Sequence, residues 1–380
     1  MRTVLFHNIM SPYKTLLFNA LTAKWEGDLS ICYFALTSVL RDWRIDEGKL
    51  LYPYTVLNRQ KKWEEIPSWK LSLQVFWYAW RSRAECFILG EYSSLPYWFV
   101  WGYGVLAGKK VAAIVESQEA DHIRKGWKEK IKRLFLSRCF RVIVAGKKHK
   151  AYVKKLGVPE ERIVVMGGVG GVDHGIYDFF LKKYDTAEKR RALFAFLGIQ
   201  VRPYFVYVGR FSPEKNLLSL LRVYEKVACE EKGWGLLLVG SGPQEADLRG
   251  YVMEHHLAHV VFPGFVQQER LPLYYLVSQV FVLPSLSEPW GLVVDEALAL
   301  GRPVIVSGRC GCVPDIVHEG ENGMIFSPED ETAFAGCMNF MMAYADLRYM
   351  GEVSLKIAQK HSPEESAQRI VEGFKNRRKT

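Results

Sequence analysis

Two carboxylates, Glu288 and Glu296, stand with seven residues between them in the stretch VFVLPSLSEPWGLVVDEAL, residues 280–298. Upstream, Arg210 and Lys215 share the run GRFSPEKN. A guanidinium grips two phosphate oxygens at once and an ammonium adds a mobile point charge, so this pair suits a diphosphate. A carboxylate beside such an anion needs a ligand that also carries hydroxyls. Phosphate joined to polyol points to a nucleotide sugar. Taken singly, an Arg/Lys pair is most often a solvated surface feature, and Glu296 would be an ordinary first-turn carboxylate. The case rests on where these residues fall together.

Their positions follow from the elements around them. Val280–Leu283 has the continuous apolar run of a buried parallel strand, broken at Pro284 by the loop SLSEPWG, and helical spacing resumes at Leu292. A strand, a loop and a helix N-terminus present backbone N–H groups to an anion above the sheet. The second half repeats this alternation. Strands are expected at 204–208, 236–239, 260–262, 280–283 and 303–306, and helices at 217–229, 244–255, 271–277, 293–300 and 331–344. The pattern predicts a doubly wound parallel sheet, whose ligands sit beyond the carboxyl ends of its strands. Five strand ends carry glycine or charge there: Gly209 with Arg210 and Lys215; GSGP with Gly240 and Gly242; PGFV with Phe265 and Val266; SLSEPWG with Ser285, Trp290 and Gly291; and SGRCGCVPD.

The first half also alternates, with strands expected at 3–6, 30–35, 85–89, 111–115, 141–145 and 162–166. Residues 41–70 show no clear period and are expected to be loop-rich. The glycine-rich GGVGGVDHGIYDF, residues 167–179, precedes an interdomain linker expected at 180–202, within which DTAEKRRALFAFLGI is expected to form a helix capped at Asp185/Thr186 and ending near Gly198. The domains are then 1–180 and 200–361, with a terminal helix in 362–380 packing back on the first.

The chain has 380 residues, 49% hydrophobic and 24% charged, which excludes a disordered protein. The opening segment offers a four-residue apolar run, so no signal peptide is expected, and seven scattered cysteines without a CxxC indicate a reducing, cytoplasmic setting. The net charge of +10 is uneven: residues 124–155 hold thirteen Lys/Arg against Glu129 alone. Nine of eleven tryptophans fall in the first 130 residues. A basic, aromatic half is compatible with an anionic membrane surface contacted through 124–155, and a solvated helix explains the charges equally well.

Gly209-Arg210, Lys215-Asn216, Gly240-Ser241-Gly242-Pro243, Gly264-Phe265-Val266, Pro284-Ser285 and the Glu288/Glu296 element together resemble the family 4 retaining glycosyltransferases. The weaker GVDHGIY has glycine where that family often has the asparagine of NGVD. The resemblance implies the GT-B fold, two Rossmann-like domains facing across a cleft, and sugar transfer from a nucleotide sugar, UDP favoured and GDP the alternative, to a glycan or lipid-linked glycan in surface polysaccharide or glycoconjugate synthesis. It implies that Arg210 and Lys215 hold the diphosphate, Glu288 faces the donor sugar and Glu296 binds the ribose. Backbone at Trp290, Gly291, Leu292 and Val293 would contact sugar and phosphate, and Val266 would read the base. Asp315 is read as structural.

No Asp-x-Asp occurs, so no metal and no cofactor is expected. In the first domain His7, Glu116 and His122 are candidates for the acceptor side by strand-end position, with capping or solvated roles as the alternative. The protein is expected to be cytoplasmic and peripheral on the inner face of the membrane; nucleic acid is not the expected partner. Two competing readings are a nucleotide-sugar epimerase and a non-catalytic sugar-nucleotide or nucleic-acid binder.

Overall fold

The strands pair in parallel throughout and fall into two sheets. The computed structural model describes residues 1–39, 46–119, 126–343 and 345–375. The chain divides into two units: Met1–Gly171 with the segment from His361 onward, and Val172–Lys360.

In unit 1 the elements run β1 (Thr3–Ile9), α1 (Pro12–Lys24), β2 (Leu29–Ala35), β3 (Tyr54–Asn58), α2 (Ser68–Ser82), β4 (Cys86–Leu89), α3 (Leu95–Leu106), β5 (Lys110–Val115), α4 (Gly126–Ser137), β6 (Arg141–Val144), α5 (Lys147–Lys155) and β7 (Ile163–Val165). The seven strands are ordered β3-β2-β1-β4-β5-β6-β7, all parallel. Leu71 and Val75 of α2, Val100 of α3, Phe135 of α4 and Val153 of α5 join one core with the sheet residues Phe6, Phe87 and Val142.

Unit 2 begins with α6 (His174–Lys183) and α7 (Ala187–Leu197), then β8 (Tyr204–Val208), α8 (Leu217–Lys226), β9 (Gly235–Val239), α9 (Glu245–Glu254), β10 (Val260–Gly264), α10 (Leu271–Val277), β11 (Val280–Leu283), α11 (Leu292–Ala299), β12 (Val304–Ser307), β13 (Gly323–Phe326), α12 (Glu331–Ala343) and α13 (Leu347–Ala358). Its order is β10-β9-β8-β11-β12-β13, again parallel. The last helix, α14 (Pro363–Lys375), returns to unit 1, where the Phe374 ring lies 5.0 Å from Trp25, and Arg141 Nε donates to the Gly373 carbonyl at 2.6 Å.

Several expectations are corrected. The stretch 41–70 is not all loop, because β3 extends the sheet at its edge. The division falls at Gly171/Val172, ahead of the linker expected at 180–202, whereas the helix expected in that stretch is present as α7: Thr186 caps it by accepting from Lys189 N–H, and Gly198 closes it at φ +68°. The helices α2, α6 and α13 and the strand β13 were not anticipated.

Candidate active site

The loops beyond β8 to β12 are stitched to one another by their backbones. Gly209 N–H donates to Val239 O at 3.0 Å, Phe211 to Ser241 at 2.9 Å and Gly240 to Gly264 at 2.9 Å. On the other flank Leu286 N–H donates to Glu214 O at 2.8 Å, Gly311 to Glu288 at 2.9 Å and Cys312 to Trp290 at 2.9 Å. Five loops thus make one continuous rim at the end of the sheet.

The glycines of the rim answer to this stitching. A Cβ on Gly240 would lie 1.9 Å from Gly209 O, and one on Gly242 would lie 2.4 Å from Phe211 O. Both clashes are with backbone, so only glycine lets the loops approach. At Gly209 a Cβ would meet the Tyr207 hydroxyl at 2.7 Å, and that hydroxyl donates past it to the Arg210 carbonyl at 2.9 Å. The glycines therefore build the loop platform on which the charged residues stand.

Lys215 and Glu288 meet on this platform as an ion pair, their side chains 18% and 15% exposed. The Leu286–Glu214 hydrogen bond joins their two loops and sets that encounter. Arg210 is exposed on the same rim, and among the described residues no hydrogen bond or ion pair is recorded for its guanidinium.

Glu296 sits in the first two turns of α11 and is 1% exposed. Tyr275 Oη donates to its Oε2 at 2.9 Å, whereas its Oε1 is buried without a hydrogen-bond partner. Burial pushes the carboxyl up to about 7, with Tyr275 and Tyr177 pulling the other way. Ser285 Oγ, at the end of β11, is likewise buried and unpartnered. Buried polar atoms are normally satisfied, so each such exception calls for a ligand or another explanation. Between them Gly291 opens α11 at φ +101°. The N–H groups of Leu292 and Val293 then fall in the first turn, which has no intrahelical acceptors.

The expectation for Trp290 concerned its backbone, and its side chain turns inward. Its indole is 3% exposed and donates to Asp295 Oδ2 at 2.6 Å. Burial first, and the neighbouring Glu296 as well, push the Asp295 carboxyl up to about 7, against the indole bond. The tryptophan side chain thus braces the α11 N-terminus from behind, leaving only its backbone in the rim. Phe265 is exposed and Val266 half-buried just past β10. Cys310 and Cys312 are buried thiols, and among the described residues no group of three or more His, Cys, Asp or Glu is placed to hold a metal ion.

Residues 189–350 match the glycosyl transferases group 1 family model. Among curated proteins the chain is similar to sulfoquinovosyl transferase SQD2 of Arabidopsis thaliana, 38% identical over 136 residues covering 35% of this chain and 25% of that one. It is also similar to an uncharacterized glycosyltransferase of Methanocaldococcus jannaschii, 31% identical over 197 residues, 51% of this chain and 48% of the other. The matched part thus spans a quarter to about half of these relatives. Among solved structures, Anabaena HepE in complex with UDP and glucose superposes with a TM-score of 0.76 at 16% identity, over 99% of this chain and 100% of that one. The lipopolysaccharide outer core galactosyltransferase WaaB gives 0.70 at 14% identity, over 98% and 99%. The two Rossmann-like units form the GT-B fold.

The group 1 match covers the rim, whereas the acceptor-side candidates lie in unit 1. There the structure brings two of the three together. Glu116, just past β5, forms an ion pair with Lys14 in the first turn of α1. Burial raises the Glu116 carboxyl, but Lys14, His7 and His149 more than offset it, leaving it below the usual range. His7 Nδ1 lies 2.9 Å from Ile9 O, and burial together with Lys14 lowers its pKa to about 4, so the ring is neutral at pH 7. His122 lies outside the described residues. Lys14 was missed from sequence; its only signal is SPYK, in which Ser11 caps α1 by accepting from Lys14 N–H and Pro12 starts it.

Proposed function

We propose that this protein is a retaining glycosyltransferase that moves a sugar from a nucleotide-sugar donor, UDP favoured and GDP the alternative, to the hydroxyl of a glycan or lipid-linked glycan. The observation that carries the reading is the stitched rim: it gathers Arg210, Lys215, Glu288 and the open first turn of α11 around the buried carboxylate of Glu296. A diphosphate fits the cations and the helix N–H groups. A ribose hydroxyl fits Glu296 Oε1, and the transferred sugar faces Glu288. The similarity to a sulfoquinovosyl transferase and to HepE in complex with UDP and glucose supports this class of ligand.

In the proposed reaction the bond from the anomeric carbon to the diphosphate oxygen breaks as the acceptor oxygen bonds to that carbon on the same face. The acceptor proton passes to the departing diphosphate. Arg210, Lys215 and the α11 N–H groups stabilise the charge that grows on the leaving group, a role that needs no bridging metal. The Glu288 carboxylate stabilises the oxocarbenium character that develops on the sugar.

A thermal-shift screen with UDP, GDP and ADP and their glucose or mannose conjugates tests the reading. A ligand at a hundred times its Kd stabilises by about 2.7 kcal/mol. One base series is expected to raise Tm in the wild type, with the effect reduced in Arg210→Ala and turnover abolished. No shift with any nucleotide, or near-normal kcat in Arg210→Ala, would sink the assignment.

A further inference from the structure

Three neighbouring helices of unit 1 turn unsatisfied apolar side chains outward. On α2, Trp69, Leu73, Trp77 and Trp80 are 65%, 46%, 55% and 53% exposed. At 100° per residue these four fall within one quarter of the helix surface. Single exposed hydrophobes are ordinary, but three tryptophans on one helical stripe are not. The inward face, with Leu71, Val75 and Ala79, is already in the core, so the stripe is surplus to folding.

The neighbouring helices continue it. Leu95, Phe99 and Leu106 stand outward on α3, which contains no charged residue. Phe76 of α2 meets Tyr103 of α3 at 5.6 Å between ring centroids, and Trp101 of α3 stacks on Phe135 of α4 at 5.3 Å, so the three helices lie side by side over one sheet face. On α4, Trp127, Ile131 and Leu134 share one exposed stripe.

Charge borders this surface in one sign. Lys70 and Arg81 flank a groove lined by Leu57, Leu73, Trp77 and Tyr78, and among the described residues neither cation has a recorded acidic partner. Helices α2 and α3 contain no Asp or Glu. On α4, Lys128 and Lys130 edge the apolar stripe. By contrast three of the five lysines of α5 are held in ion pairs: Lys150 and Lys154 with Glu160, and Lys155 with Glu119. The basic run of 124–155 therefore divides, and only its α4 part belongs to this surface.

We infer that the α2–α3–α4 face of unit 1 is a docking surface for an anionic lipid bilayer. Tryptophan belongs at the interfacial layer, where the ring is in acyl chains and its N–H in headgroups, and lysine and arginine at the rim meet headgroup phosphates. No helix among the described residues is long and apolar enough to cross a membrane, so attachment is by one face. The inference deepens the glycosyl-transfer reading by naming a lipid-carried acceptor, and rests on that reading for the acceptor alone.

The test is co-sedimentation of the full chain, without nucleotide, with vesicles of phosphatidylcholine alone and of phosphatidylcholine mixed with phosphatidylglycerol. Wild type is expected to pellet with the mixed vesicles, less at high salt, with a blue shift of tryptophan emission. Trp77→Ala/Trp80→Ala should lose about tenfold or more in partitioning, and Lys70→Glu/Arg81→Glu about fivefold or more per charge. Lys154→Glu, on α5, should leave it unchanged. All of these side chains are exposed, and an unchanged Tm shows that the variants fold. Failure of wild type to bind, equal binding by the tryptophan variant, or an α5 variant that alone abolishes binding overturns the inference. So does a concentration-dependent dimer lost in the tryptophan variant, which would assign the face to a second copy of the chain. Vesicle binding is read without donor, so its failure leaves a nucleotide-induced thermal shift intact.

Discussion

At the scale of residues, Lys215 and Glu288 are first of all partners of each other. With their side chains 18% and 15% exposed, the pair is shielded enough to matter, and a diphosphate that takes Lys215 must displace the carboxylate. In the proposed function the same event releases Glu288, which couples arrival of the phosphates to availability of the carboxylate assigned to the sugar. Glu288→Gln should therefore bind the bare nucleoside diphosphate more tightly, by about 5–30-fold if the lost competition is 1–2 kcal/mol, while turnover of the full donor falls. Calorimetric titration of wild type and variant decides it: unchanged or weaker nucleotide binding would show that Lys215 is not held in check by Glu288. Glu296 differs in kind. Its burial, its Tyr275 partner and its open Oε1 were not legible in the sequence. The spacing placed it in the first turns of α11, but a helical carboxylate looks the same in sequence whether it faces solvent or core.

At the scale of elements, the rim depends on two strand-end loops touching backbone to backbone. Gly240→Ala puts a methyl group 1.9 Å from the Gly209 carbonyl, a contact that no side-chain rotation relieves. The variant should lose upwards of about 1–3 kcal/mol and should lose nucleotide binding with it, because the shift moves the segment that carries Arg210. A variant with wild-type denaturation midpoint and nucleotide affinity would show that the rim is not built on this contact. The loops of unit 2 were legible because each buried parallel strand is an unbroken apolar run, such as VFVL or GLLLV, that ends abruptly at glycine or proline. Helix α2 escaped because its long polar side chains, Lys70, Gln74 and Arg81, form only one narrow stripe between two apolar faces. The edge strand β3 escaped because its side chains are half-exposed and its run is short. The Lys14–Glu116 pair spans 102 residues, a separation at which only the fold itself brings two charges together.

At the scale of the whole chain, unit 1 is closed by residues from the far end of the sequence. Helix α14 packs on α1 and beside β7, and the fit is tight: a Cβ on Gly373 would meet Val164 Cγ2 at 2.4 Å and Cγ1 at 2.7 Å. Arg141, 7% exposed on β6, donates to the Gly373 carbonyl, and Lys375 pairs with Glu26. The terminal helix is thus a wall of unit 1, although unit 2 separates it from the rest of that wall in sequence. Gly373→Val places branched carbon against the sheet and should cost unit 1 about 1–3 kcal/mol by overpacking. For a unit of this size each kcal/mol corresponds to about 2–4 °C. Unit 2 keeps its own core and its own rim, so its response to nucleotide should survive. Scanning calorimetry with and without the active nucleoside diphosphate separates the two effects, since ligand raises only the transition of the unit that binds it. In Gly373→Val the nucleotide-insensitive transition should fall while the nucleotide-sensitive one keeps its position and its ligand shift. Equal falls in both transitions, or loss of the ligand shift, would mean that the terminal helix stabilises the donor-binding unit too, and that the two units do not fold as separate bodies.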